Sequence, residues 1–252
     1  MNKVISFTPA KPSCAVCGIS ELCLPHGISK TQWNLLDDLV QQEYTINKGE
    51  YLFYAGQSLK SMFAVHSGSI KTFILSNEGD EQILGFQMPG DILGFDALGH
   101  DVYSCSAVAL ETSSVCVLPV KPLQELCTKV PALGEHVMAL MSIEIGNQQE
   151  MMLTLAKKSA EARIAALLMS ISNRFYARGF SANHFHLSMS RHDIGNYLGL
   201  AVETVSRLLT HLHEVGIIMV DRRYIQILDM PRLHKLAQLG EINTPHAKQM
   251  VD

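Results

Sequence analysis

No stretch of this 252-residue chain approaches the length of a membrane-spanning helix, and the opening MNKVISFTPAKPS lacks the apolar run of a secretory leader. A cytoplasmic protein is therefore expected. In that reducing compartment six cysteines point to metal binding or redox sensing rather than to a disulfide framework. Also missing are a glycine-rich nucleotide-binding motif, a nucleophile elbow and a metal-hydrolase signature, so nothing argues for an enzyme. Charge is scarce: 17% Asp, Glu, Lys and Arg against 47% hydrophobic residues describes a globular chain, long enough for one large or two modest cores. The formal net charge of -4 speaks against nucleic acid only if charge is evenly spread. It is not, because nine Lys/Arg face five Asp/Glu between Lys157 and Arg223. A basic C-terminal part beside an acidic remainder suits a phosphate-facing module joined to an acidic one.

What the chain does have is a tight group of thiols, Cys14, Cys17 and Cys23, spaced C-x2-C-x5-C after two prolines and without hydrophobic periodicity. Three thiols in ten residues suit an inorganic centre better than a core. They are one ligand short of a set, and the only other thiols are Cys105, Cys116 and Cys127. A bound group would thus tie the N-terminal arm to the body of the protein. Structural zinc and an iron-sulfur cluster both accept four thiolates, and the spacing does not choose between them. A metal-free switch using Cys14 and Cys17 as a reactive dithiol is the third reading.

From about Thr45 to Pro119 the segments YLFY, MFAVHSG, IKTFILS, QILGFQM and SSVCVLP read as strands separated by glycine-containing turns, which predicts a β barrel or jelly roll. A long helix follows, from roughly Ala132 to Lys158. In it Met138, Met141, Ile145, Gln148, Met152 and Leu155 recur at alternating spacings of 3 and 4, the seam of a two-stranded coiled coil with one polar member. Further on, Ser190 and Asp193 read as a cap with an acidic first turn for a short helix to Leu198. Gly199 permits a tight turn, and a second helix from Val202 to Val215 carries Val205, Leu208, Leu209 and Leu212 inward, giving helix-turn-helix spacing. GIIMV, the turn Asp221-Arg222-Arg223 and YIQIL then form a hairpin wing. On the second helix Glu203, Ser206 and Arg207 share one polar face near its N-terminal end. They match cytosine N4, a base or phosphate, and guanine O6/N7 in the major groove of double-stranded DNA. Lys157, Lys158, Arg191, Arg222 and Arg223 are candidate phosphate contacts.

This order of parts resembles the cyclic AMP receptor protein superfamily of transcription regulators. IGNYLGLAVETVSRLL, ALETSSVC and the N-terminal cysteines resemble its oxygen-responsive FNR/ANR branch. The resemblance implies an α+β fold. Its parts are a cysteine-rich arm (1–30), a β jelly-roll sensor domain (31–131), a dimerisation helix (132–158), a winged helix-turn-helix (159–240) and a tail (241–252). It implies one [4Fe-4S] cluster per subunit on Cys14, Cys17, Cys23 and Cys116, leaving Cys105 and Cys127 as small buried hydrophobes. It puts the E-x-x-S-R recognition set on Glu203, Ser206 and Arg207, and implies a homodimer on a TTGAT-type palindrome, released as oxygen converts the cluster toward [2Fe-2S]. It further implies contact with RNA polymerase through barrel loops such as the turn from Glu78 to Glu81. Cyclic nucleotide is not expected as a ligand, because Gly94-Phe95 and Tyr103-Ser104-Cys105-Ser106 stand where relatives that bind it carry an acid and an arginine. Gln148 stands where several members have an acid, which predicts a cluster-free form that dimerises more readily.

Overall fold

The computed structural model describes residues 13–40 and 43–239, so the tail at 241–252 lies outside the described residues. The described residues open with an arm of short 3-10 turns, Cys14–Val16, Ser20–Leu22, Leu24–Gly27 and Lys30–Gln32, that runs into helix α1 (Trp33–Leu39). Eight strands follow: β1 (Glu43–Ile46), β2 (Tyr51–Phe53), β3 (Ser61–Ser67), β4 (Ile70–Leu75), β5 (Glu81–Gln87), β6 (Ile92–Leu93), β7 (Ser106–Ala109) and β8 (Ser113–Pro119). They form two four-stranded sheets of order β1-β8-β3-β6 and β2-β7-β4-β5, with antiparallel neighbours. Ile46, Phe53, Val65, Ile70, Leu93, Ala107 and Val115, drawn from both sheets, close the core between them. The β3–β4 turn depends on Gly68 at φ +77°, where a Cβ would stand 2.7 Å from Ser113 Cα and Thr112 O.

On the outer face of the first sheet, Met62, Ala64 and Leu118 pack against Leu36, Leu39, Leu123, Leu126 and Leu133. The last three belong to α2 (Val120–Lys129) and α3 (Pro131–Lys157). At 27 residues α3 is about 40 Å long. Its first turns are held by Leu133, Val137 and Leu140 against this core, whereas residues 142–150 are exposed throughout. It ends at Lys158, whose backbone is extended, and Ser159 restarts the chain by capping α4 (Ala160–Ala177), its hydroxyl accepting from Ala162 N. Arg163 secures this break, donating to the carbonyls of Leu155, Lys158 and Leu198 at 2.7–3.1 Å.

The C-terminal part continues through β9 (His184–His186), α5 (Arg191–Leu198), α6 (Val202–Glu214), β10 (Ile218–Asp221), β11 (Tyr224–Ile227) and α7 (Met230–Ala237), with a sheet of order β10-β11-β9. It packs on the outer face of the second sheet, where Phe73, Ile83, Phe86 and Val108 join one core with Ile164, Leu168, Ile194 and Leu198. Polar contacts flank that seam. Lys71 Nζ donates to Glu81 Oε1 at 2.6 Å and to Asp193 Oδ1 at 3.0 Å, and Asn196 exchanges bonds with Glu81 O and Ile83 N.

Asp193 serves twice, since it also closes the capping box with Ser190 at the start of α5. Burial opposes its charge, but the bonds from Ser190 and the Lys71 ammonium outweigh that and hold its carboxyl below the usual value. Its contribution to stability is therefore complete above the ordinary carboxylate pKa, about 4, and is lost as pH falls through the lower folded value. Thermal melts of Asp193→Asn and wild type between pH 7 and pH 3 are expected to differ most at neutral pH and to converge in acid.

Candidate functional site: a thiol pocket and a DNA-reading helix

Cys14, Cys17, Cys23 and Cys116 line one small cavity of about 30 Å³, closed by Leu24, Pro25, Leu36, Val40, Ala64, His66 and Leu118. Cys116 lies on β8 opposite Glu43 of β1 and Ala64 of β3. It therefore comes from the middle of a sheet, whereas the other three come from the arm. The arm is pinned beside it by Asp37, which accepts from Cys14 N at 2.6 Å and from Ser13 Oγ at 2.7 Å, and His136 of α3 lies 3.3 Å from Cys23 O. Leu24, 2% exposed, contributes about 2 kcal/mol by burial. Cys105 points elsewhere, into the sandwich core, with its thiol 3.7 Å from Asp96 Oδ2. Cys127 sits on α2 and does not line the cavity.

The chemistry of this donor set fits a cationic thiolate-bound centre. Burial, followed by nearby Asp37, Cys23 and Cys116, pushes the Cys14 thiol up to about 12. Burial pushes Cys23 to about 11, with Cys17 and Asp91 adding to the rise. Cys116 is raised to about 12 by burial, then by Cys23, Cys17 and Glu43. Burial in this apolar pocket keeps the Cys14, Cys23 and Cys116 thiols protonated, and a bound metal would supply the positive charge that ionises them. Among the described residues no three His, Cys, Asp or Glu side chains are gathered tightly enough to hold a single metal ion.

The candidate DNA-reading part is built on α5 and α6. Gly195 lets α5 approach the turn, since a Cβ there would stand 2.5 Å from Leu200 O, and Gly199 makes the turn at φ +62°. Val205, Leu209 and Leu212 are buried, which leaves Glu203, Ser206 and Arg207 exposed on the opposite face of α6. Ser206 Oγ donates to Val202 O at 3.0 Å. In the wing, Arg222 takes φ +55°, and Arg191 Nη2 donates to Arg222 O at 2.8 Å. Lys158 corrects an expectation: it is 8% exposed with Nζ donating to Ala237 O at 2.7 Å, so it anchors α7 rather than facing phosphate.

Along α3, Met138 is 63%, Ile145 58% and Met152 70% exposed, an apolar stripe with nothing over it in the single chain. Met141 and Leu155 are half-buried at its flanks, and Gln148 Nε2 donates to Glu144 Oε1 at 2.9 Å. Sequence reasoning missed Asp37, His136 and Arg163. Each acts on a partner distant in the chain, and no local pattern marks it.

The sandwich, the long exposed helix and the winged two-helix reader define a transcription regulator of the Crp type. Residues 44–130 match the cyclic nucleotide-binding domain and residues 162–236 match the Crp-like helix-turn-helix domain. The anaerobic regulatory protein of Pasteurella multocida is 47% identical over 91% of this chain and 84% of its own length. The fumarate and nitrate reduction regulatory protein of Escherichia coli is 46% identical over 89% and 90%. Among solved structures, FixK2 from Bradyrhizobium japonicum superposes with a TM-score of 0.73 at 28% identity, covering 81% of this chain and 98% of that one. The chain belongs to the Crp/FNR family, whose members bind DNA and act as dimers. Among the described residues no helix is long and apolar enough to cross a membrane.

Proposed function

We propose that this protein is a cytoplasmic, non-enzymatic, oxygen-responsive regulator of the switch between aerobic and anaerobic gene expression. It binds a palindromic DNA site as a homodimer when Cys14, Cys17, Cys23 and Cys116 hold one [4Fe-4S] cluster per subunit. The observation that carries this reading is the shared cavity: three thiols of the arm and one of β8 face the same apolar space. When bound, the cluster supplies an oxygen-labile, thiolate-held centre. The chain's own residues do the rest. Without metal the arm is held by the buried Leu24 and Pro25, by the Asp37 bonds and by Ile28 packed on the same core. With the arm in place, its Leu24–Gly27 turn packs on the start of α3, and His136 meets Cys23 O. The state of the thiol pocket thus bears on the helix whose seam Met138, Met141, Ile145, Gln148, Met152 and Leu155 joins two subunits.

The barrel's side chains argue against a cyclic nucleotide. Phe53 stacks on Tyr103 with ring centroids 4.0 Å apart, and Tyr103 donates its hydroxyl to Ser61 O at 2.6 Å. The Asp96 carboxylate already accepts from Ser104 N and Ser104 Oγ, so an anion occupies the donors a phosphate would need. The β4–β5 turn, where Glu78 and Asp80 are exposed, is the proposed RNA polymerase contact.

The test is the visible spectrum and the iron and sulfide content of protein purified without air. Four iron and four sulfide per chain with a brown chromophore support the reading; colourless protein carrying zinc refutes it. For the DNA contact, Arg207→Ala is expected to cost about 1–3 kcal/mol and to relax selection at one base pair, read by titrating a set of single-base site variants.

A further inference from the structure

We propose that the turn from Met88 to Asp91 sets the position of the DNA-binding domain according to whether the arm is docked, with Asp91 as the positioning residue. The proposal rests on the arm being the sensing element. It works within one subunit, and so is separate from the α3 stripe.

One side of the turn is covered by the arm. Gly90, at φ +96°, lies so close that a Cβ would stand 2.9 Å from Leu22 Cβ and 3.2 Å from Leu22 O, and Leu22 immediately precedes Cys23. The turn is also bonded to β3: Gly90 N donates to Val65 O at 2.8 Å and Val65 N to Asp91 O at 2.9 Å. Val65 is the neighbour of Ala64, the register partner of Cys116. The arm therefore meets this turn directly, and β8, which carries Cys116, reaches it only through β3.

The other side is gripped by α4. Asp91 Oδ1 accepts from Arg178 Nη2 at 2.9 Å, and Oδ2 accepts from Met88 N at 2.8 Å and from Arg174 Nη2. Arg178 Nε donates to Pro89 O at 2.6 Å and Arg174 Nη1 to Phe86 O at 2.7 Å, so two arginines one helical turn apart hold a single loop. The Arg178 side chain is 6% exposed. So buried a guanidinium tolerates little change in its acceptors. Departure of the arm removes the wall behind Gly90, the acceptors at Pro89 and Asp91 loosen together, and α4 loses this polar grip on the barrel while its apolar contact with the second sheet remains. Linkage makes the effect reciprocal: DNA that fixes the domain must favour the docked arm by the same factor.

Hydrogen exchange on full-length, anaerobically purified protein, with and without a palindromic duplex, tests this. DNA is expected to raise protection of the amides of residues 20–24 in wild type. Asp91→Asn and the milder Arg174→Gln are expected to keep wild-type iron content and dimer mass, to lose that protection, and to bind DNA on the order of tenfold more weakly. Asp91→Glu is expected to restore part of both. Undiminished DNA-induced protection in the two variants would overturn the proposal, and so would loss of iron from Arg174→Gln, which would make the grip a support of the thiol pocket alone. If wild type holds no iron, the cluster reading fails, while the exchange comparison still decides the coupling.

Discussion

Cys116→Ala protein purified without air is expected to be colourless, to retain less than about a tenth of the wild-type iron, and to bind the palindrome no better than unrelated DNA. Three arm thiols cannot complete a four-thiolate set, and the side chain removed is the one that β8 contributes to the cavity. The fold itself should survive, because deleting a half-buried thiol costs about 1 kcal/mol, far less than a domain's stability. Loss of the sensing state would therefore be read against an intact circular dichroism spectrum. Cys105→Ala serves as the control: its thiol lies in the sandwich core, away from the cavity, and iron content should be unchanged. The opposite pattern, with iron kept in Cys116→Ala and lost in Cys105→Ala, would move the fourth ligand to β7's approach and undo the site.

Ile145→Glu is expected to produce a monomer that still carries its cluster. Ile145 is 58% exposed on α3, between the two polar-flanked turns of the stripe, so in one chain the change is nearly neutral. In a two-fold dimer it places two carboxylates against each other in an apolar seam. An unpaired buried charge costs about 3–5 kcal/mol, which is more than a hundredfold in dimer dissociation. A lone reading helix then falls to non-specific binding, on the order of a thousandfold weaker than the dimer on its site. Sedimentation and gel-shift titration of the anaerobic variant read both effects, and wild-type iron content would show that the two losses are separable.

Much of this was legible in the sequence where local chemistry decides the structure. Segments rich in aromatic and β-branched residues, such as IKTFILS and SSVCVLP, became β4 and β8, and the Ser190–Asp193 spacing became a true capping box. Strands β1, β6, β7 and β9 carried too little signal: β6 has two residues, β7 is SAVA, and β9 presents one buried phenylalanine between exposed histidines. The arm thiols were evident from spacing. The choice of Cys116 over Cys105 and Cys127 came from resemblance, and the fold supplies a physical reason for it, because β8 turns Cys116 outward to the arm while Cys105 faces the sandwich core. Lys158 is a candidate phosphate contact by sequence, and only the fold shows that it lies under α7, where it bonds Ala237 O. Asp91 gave no sign of this role, since its arginine partners are 83 and 87 residues away.

The most direct measurement follows one anaerobic sample through stepwise addition of air, recording iron-sulfur absorbance, sedimentation and affinity for the palindrome at each step. Dimer fraction and affinity are expected to fall together with the absorbance, the fall in dimer fraction being shallower if Gln148 eases cluster-free association. Protein that has lost its chromophore yet keeps full affinity for the palindrome would contradict an oxygen-controlled thiol pocket.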